Sequence, residues 1–253
     1  MEPFVKPGSI VRTIWGRGDT ILLIFAGASA EFALNRSVDW LYFTGRLPKD
    51  PLGRLFSTVS YARRIVFADE QDANAAIDHI AAIHQGVEKA RGYRISAGAY
   101  LDVLFMLIDY SIRAYELVER KMSAAEKEEV FSVFRRVGRR MGLTGLPATY
   151  TELPALRETH LRENLVRSEF SRDLYRQYRK HLGAVRYFVL LQAQVLLVPD
   201  RVRCLLRLPS IPFLYPVIQL YKAARLVRLD RGIKYLLLPP EYREQVFGLD
   251  SLT

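Results

Sequence analysis

The chain has 253 residues, half of them apolar, and a formal net charge of +10. This composition excludes a disordered or low-complexity chain, because it supplies enough apolar surface to bury a sizeable core. A single cysteine, Cys204, excludes an internal disulfide, and no Cys/His spacing is typical of a zinc site.

The N-terminal segment predicts a protein that is not exported. It has an acidic second residue, two prolines and no apolar run of the length found in signal peptides. The longest apolar stretches, 21–34 and 187–199, fall short of the roughly 20 residues that cross a bilayer as a helix. We therefore expect buried helices at both stretches, no transmembrane helix and a cytoplasmic location.

Helical spacing of apolar residues recurs along the chain, whereas the alternation typical of strands is weak throughout. The sequence therefore predicts an all-α fold, organised as a single domain over residues 1–253, with the weakest pattern in the tail after about residue 209. The predicted helices cover 8–16, 19–34, 51–67, 70–90, 97–120, 123–142, 151–168, 171–197, 199–207, 212–228 and 239–247.

The helix predicted at 51–67 places Arg54 and Thr58 on one face, because residues four apart are neighbours on a helix surface. An arginine beside a hydroxyl can bind an anion, a haem propionate or an oxygen species. An ordinary solvated edge of the helix explains the same pair equally well.

The helix predicted at 70–90 carries an imidazole on an apolar face. His84 shares a face with Ile77, Ile80 and Val87, whereas His79 lies toward the boundary of that stripe. A neutral imidazole in such a place can bind a metal or haem iron through one ring nitrogen. The alternative, which the spacing alone favours, is a core histidine hydrogen-bonded to a backbone carbonyl.

Two further patterns lie downstream. Asp109 and Arg113 are four residues apart in the apolar helix 97–120, which predicts a structural ion pair. Residues 160–253 hold 16 Lys and Arg against 8 Asp and Glu, and several of these arginines alternate with leucine and valine. This mixture favours peripheral contact with an anionic membrane over binding of nucleic acid.

In chain order, several stretches resemble the family of the fungal ER-bound oxygenase of the mycophenolic-acid pathway and the bacterial rubber oxygenase, or latex clearing protein. The resemblance covers nearly the whole chain. The matching stretches are GSIVRTIWG, DPLGRLFSTVSYARRIVFA, AAIDHIAAIHQGVE, RGYRISAG, LIDYSIRAYE, MSAAEKEEVFSVFRRVGRRMGL, LPATYTEL and LLPPEYREQVFGL.

The resemblance implies an all-helical fold with a globin-like core, haem b bound through a histidine, and O2-dependent cleavage of carbon–carbon double bonds in isoprenoid chains. His84 matches the axial-ligand position of the family and would be the proximal ligand of the iron. Arg54 and Thr58 match residues of the distal side and would contact oxygen or a haem propionate. The apolar residues Leu104, Phe105 and Ile108 would form the pocket wall.

The chain departs from the family pattern at three places. Ser57 stands where a long cation is expected, Ala26-Gly27-Ala28 stands for Ala-His-Pro, and Leu104-Phe105 with Met106 stands for Val-His-Ala. Either His84 suffices for haem, or this branch of the family has changed its chemistry or lost its cofactor.

From these patterns together with the resemblance, the leading hypothesis is a haem b-dependent, iron-containing oxidoreductase or oxygenase that acts with O2 on a hydrophobic, isoprenoid-like small molecule. The alternative is a helical protein that binds a lipid or hydrophobic metabolite without turnover. The sequence does not predict an oligomeric state.

Overall fold

The computed structural model describes residues 2–39, 41 and 50–226, except for the side chains at 51, 52, 54–56 and 223–226. No β-strand occurs within these ranges, so the all-α prediction is confirmed for the described part of the chain. The predicted helix at 239–247 lies outside the described residues. The helices are α1 (Ile10–Trp15), α2 (Gly18–Phe32), α3 (Pro51–Phe67), α4 (Glu70–Arg91), α5 (Ala97–Val118), α6 (Ala124–Arg140), α7 (Leu153–Asn164), α8 (Glu169–Leu197), α9 (Asp200–Leu206) and α10 (Tyr215–Leu226).

Local capping explains why several predicted helix ends are close to the observed ones. The Asp50 carboxylate accepts from the Gly53 amide at the start of α3. Ser123 and Glu126 form the reciprocal pair of hydrogen bonds that begins α6. Such bonds satisfy amides that have no partner within the helix.

The prediction for 151–168 was wrong at both ends. Residues 150–152 form a short 3₁₀ turn, and α7 begins at Leu153. It ends at Asn164 because the chain then becomes extended, and the Val166 amide donates to the Leu34 carbonyl at 2.8 Å. This bond joins segments that are far apart in the sequence, so helical periodicity gives no signal of it.

Helix α5 lies at the centre of the packing. It contacts α2 most extensively and also packs against α6, α7 and α8. Its buried residues continue around most of its circumference, as expected for a helix surrounded by other helices. A continuous cluster of buried apolar side chains joins it to elements between Phe4 and Val202.

A buried ionic network crosses this core. Arg157 of α7 donates two hydrogen bonds to the Glu31 carboxylate of α2, at 2.9 and 2.6 Å. The Tyr110 hydroxyl donates to Glu31 at 2.9 Å, and the Arg157 Nε donates to Asp109 at 2.9 Å. Asp109 also accepts from Arg113 at 2.9 Å, which confirms the predicted pair within α5. Three helices are thus joined by an ionic network centred on the buried Arg157–Glu31 pair.

Helix α8 changes direction at Gly183. This residue has φ 70° and ψ 173° inside an otherwise helical segment. That positive φ is readily adopted by glycine alone among the common residues, so the kink depends on this position. The two halves of α8, residues 169–182 and 184–197, therefore follow different axes.

Helices long and apolar enough to cross a bilayer are absent from the described part of the chain.

We expect Arg157→Leu to lower the free energy of unfolding by about 3–5 kcal/mol, because it leaves the buried Glu31 carboxylate without its cation. Urea denaturation measures this change. The matched control is Arg162→Leu on the same helix, where Arg162 pairs with Glu158 at an exposed site. That control should change stability by no more than about 0.5 kcal/mol.

A double variant, Glu31→Leu with Arg157→Leu, should recover much of the loss, because it removes both charges together. Equal stability of Arg157→Leu and the control would show that the network does not hold the three helices together.

Candidate functional site

Helices α3 and α4 form a hairpin that carries three of the predicted site residues. The two helices are joined by a short connection, and the ring of Tyr61 lies 6.1 Å from that of His79 across them. Thr58 is exposed on α3. Arg54 belongs to the same helix, but its side chain lies outside the described ones. Ser57, where the family pattern has a long cation, is also exposed.

His84 lies in the second half of α4 and is half-buried. Its Nδ1 atom is inaccessible to solvent. The ring of Tyr100, from α5, meets the imidazole edge to face with 5.2 Å between centroids. The fully buried residues of α4, which include Ile77, all lie in its first half. His84 therefore occupies the margin of the core rather than its centre, whereas His79 is exposed.

Glu88 fixes the tyrosine against which His84 packs. The Tyr100 hydroxyl donates to Glu88 Oε1 at 3.2 Å, and the Ile95 amide donates to the same oxygen at 2.9 Å. Burial and the neighbouring Glu88 charge raise the pKa of Tyr100 to about 12. The phenol is therefore neutral at physiological pH, and its ring packs against the imidazole of His84.

The three predicted wall residues of α5 lie in the core but point toward different neighbours. Leu104 lies one turn after Tyr100 and packs where α6 has Gly138. Phe105 instead meets the ring of His160 of α7, with 5.3 Å between centroids. Ile108 is fully buried. Of the three, Leu104 follows the side of the helix that Tyr100 presents to His84.

Gly27 has a structural explanation that the sequence pattern did not supply. A Cβ atom at this position would lie 2.2 Å from Cδ1 of Tyr110, which is closer than atoms can approach. The Tyr110 ring thus occupies the space beside α2 where the family pattern has a histidine. Its hydroxyl is held there by Glu31.

A second buried polar cluster surrounds Asp102 of α5, and sequence reasoning missed most of it. His160 Nδ1 lies 2.5 Å from Asp102 Oδ1. The side-chain amides of Asn35 and Asn164 donate to Asp102 Oδ2 at 2.7 and 2.8 Å. Asp102 is a carboxylate in an apolar helix, and its partners lie 58 to 67 residues away along the chain. A single sequence gives no signal of such pairs.

The donor chemistry around His84 fits one axial ligand of haem. The described residues contain no group of three or more His, Cys, Asp or Glu placed to hold a metal ion. Haem iron needs only one or two ligands from the protein, since the porphyrin supplies the others. A half-buried imidazole packed against Tyr100 meets that requirement, whereas positions 27 and 104 offer no second histidine on α2 or α5.

The protein is all-helical in its described part, with polar groups buried around the central helix α5 and His84 at the margin of the core. A family model described as "ER-bound oxygenase mpaB/B'/Rubber oxygenase, catalytic domain" matches residues 15–246. The chain therefore belongs to this family of oxygenase catalytic domains, and the resemblance inferred from its motifs is confirmed. No match was found among curated proteins or among solved structures.

We expect Gly27→Ala to lower the free energy of unfolding by about 1–3 kcal/mol, because the added methyl group displaces the Tyr110 ring. Thermal or urea unfolding measures the effect. The control is Gly86→Ala, at an exposed helical position where an added Cβ meets nothing within 4 Å. This control should raise stability by about 0.5–1 kcal/mol. A Gly27→Ala variant as stable as the wild type would show that the Tyr110 ring does not occupy this space.

Proposed function

We propose that the chain is a haem b-dependent oxygenase that acts with O2 on a hydrophobic, isoprenoid-like small molecule. Membership of an oxygenase catalytic-domain family supports the oxygenase reaction. The family description includes a rubber oxygenase, and rubber is an isoprenoid polymer, which supports the substrate class. The observation that carries the cofactor is His84, a half-buried imidazole packed against Tyr100 at the position matching the axial ligand of the family.

In this proposal the helical hairpin of α3 and α4 holds the cofactor. His84 would hold the iron, and Arg54 and Thr58 would contact oxygen or a haem propionate. When bound, haem supplies the oxygen chemistry. The chain itself binds and orients the substrate and excludes water, with Leu104, Phe105 and Ile108 as apolar wall residues.

A second candidate function is binding of a lipid or hydrophobic metabolite without turnover. The specific observation in its favour is the apolar packing at two positions where the family pattern has histidine. Tyr110 fills the space beside Gly27, and Leu104 packs against the α6 backbone at Gly138. A chain that lost its cofactor would fill these spaces in the same way.

The test is the ultraviolet–visible spectrum of protein expressed with ample haem precursor, with a pyridine haemochrome assay for stoichiometry. We expect a Soret band and about one haem b per chain, since a single axial histidine can hold the iron. His84→Ala should lose stoichiometric haem while circular dichroism shows the helical content unchanged. His79→Ala removes an exposed imidazole from the same helix and should retain the haem.

Full haem retention by His84→Ala would refute the ligand assignment. A folded wild-type protein that stays colourless after haem-replete expression would refute the oxygenase proposal in this form, and the binding function would take its place. With a haem-loaded protein, oxygen uptake on addition of an isoprenoid polyene separates turnover from binding alone.

A further inference from the structure

An arginine-rich cavity lies away from the residues assigned to the oxygenase site. It has a volume of about 340 Å³ and is lined by residues between Arg167 and Pro209, from both halves of α8 and the end of α9. None of the residues assigned to the cofactor or substrate lines it. We call it the arginine cavity after its five cationic side chains, which are Arg167, Arg172, Arg176, Arg179 and Arg207.

The charge of the arginine cavity is largely uncompensated. No carboxylate is among the described residues that line it. Arg172 and Arg176 pair with Glu169 and Asp173, each one turn earlier on α8. Within the described ranges, Arg167, Arg179 and Arg207 form no ion pair with a carboxylate. Three cations therefore face a concave surface without a counterion from the described part of the protein.

The backbone arranges these cations around one space. Arg172, Arg176 and Arg179 follow one face of the first half of α8, since they are spaced by four and three residues. Arg207 ends α9 in the left-handed conformation, with φ 55° and ψ 44°. Among the described residues other than glycine, it is the one with a positive φ. An arginine is thus held where glycine is favoured, and strain of this kind is concentrated at functional positions.

Two tyrosines complete the lining without reducing its charge. Burial raises the pKa of Tyr175 well above its usual range, although the charge of Arg167 acts in the opposite direction. Burial also raises the pKa of Tyr187, against the influence of Arg179. Both phenols are therefore neutral at physiological pH. The Tyr175 hydroxyl donates to Gln194 at 2.9 Å, which anchors this ring to the second half of α8.

Exposed apolar side chains lie next to the arginine cavity. Val185 and Phe188 are exposed on the second half of α8, whose residues Tyr187 and Leu191 line the cavity. The Phe213 amide donates to Gln192 of the same helix at 2.9 Å, which brings the segment after α9 against it. That segment and the start of α10 add further exposed apolar side chains, namely Ile211, Phe213, Tyr215, Val217 and Leu220. Exposed apolar side chains concentrated in two segments that contact each other indicate an interaction site.

We propose that the arginine cavity binds the phosphate group of a phospholipid headgroup, while the adjacent apolar side chains enter the lipid surface. Guanidinium groups bind phosphate oxygens through paired hydrogen bonds, and a cavity with no carboxylate favours an anion. Apolar residues beside the cations match the two layers of an anionic membrane, which presents charge outside and hydrocarbon within. This site is independent of haem binding, and it would place a hydrophobic substrate near the protein.

The test is co-sedimentation of the full chain with vesicles of phosphatidylcholine alone or mixed with phosphatidylglycerol. We expect binding to the mixed vesicles only. The variant Arg179→Gln/Arg207→Gln should bind about twenty-fivefold more weakly, since each cation near an anionic surface contributes about fivefold. The control is Arg94→Gln/Arg139→Gln, which removes two exposed arginines outside the cavity and should weaken binding by less than about threefold.

A second variant tests the apolar contact. Glycerol phosphate carries the phosphate group of the headgroup and should raise the melting temperature of the wild type. Phe188→Ser/Phe213→Ser should weaken vesicle binding but leave this increase in melting temperature unchanged, because the phosphate contacts remain. All variants are compared by circular dichroism, and their exposed positions leave the core intact.

Equal weakening in the cavity and control variants would overturn the proposal, since binding would then follow net charge. Lack of wild-type binding to mixed vesicles would also overturn it. If inorganic pyrophosphate or glycerol phosphate nevertheless stabilises the wild type but not Arg179→Gln/Arg207→Gln, the cavity takes a soluble phosphate, and the lipid is excluded as its source.

Discussion

The guanidinium group of Arg157 is buried among apolar helices, where it donates two hydrogen bonds to the Glu31 carboxylate. Removal of both groups from water is costly, so the arrangement is stable only if every donor and acceptor finds a partner. Asp109 and Tyr110 provide those partners from consecutive positions on α5. The network therefore fixes the relative positions of α2, α5 and α7, and small displacements among them would leave a charge unsatisfied.

This constraint also determines where a cofactor could be held. Because Glu31 binds the Tyr110 hydroxyl, the ring of that tyrosine lies against Gly27 and fills the neighbouring space. About two turns earlier on α5, Asp102 is enclosed by His160 and two asparagines. Both polar clusters are satisfied internally. The histidine that remains at the core margin is His84, on a helix that neither cluster fixes directly.

Sequence reasoning succeeded where the physical signal is local. Helix identity follows from periodicity, and the Asp109–Arg113 pair follows from a spacing of four residues. The pairing of Glu31 with Arg157 spans 126 residues, and that of Asp102 with His160 spans 58. Nothing in the local pattern connects such residues. The same limit explains Gly27, which stood out as a missing histidine although the structure requires a small residue beneath Tyr110.

The charged residues of the helical core and those of the basic C-terminal part differ in whether they are paired. Buried carboxylates and their partners concentrate on α2, α5 and α7, where each charge is matched and contributes to the packing. The basic excess of the C-terminal part includes the five arginines that surround a cavity, three of which pair with no carboxylate of the described residues. Charges that stabilise a fold are paired, whereas a cluster left unpaired in a concave surface is available to an external anion. The kink at Gly183 shapes that surface, since it turns Tyr187 and Leu191 toward the arginines of the preceding half-helix. Gly27 thus leaves room for the Tyr110 ring within the core network, and Gly183 bends α8 so that both of its halves line the arginine cavity.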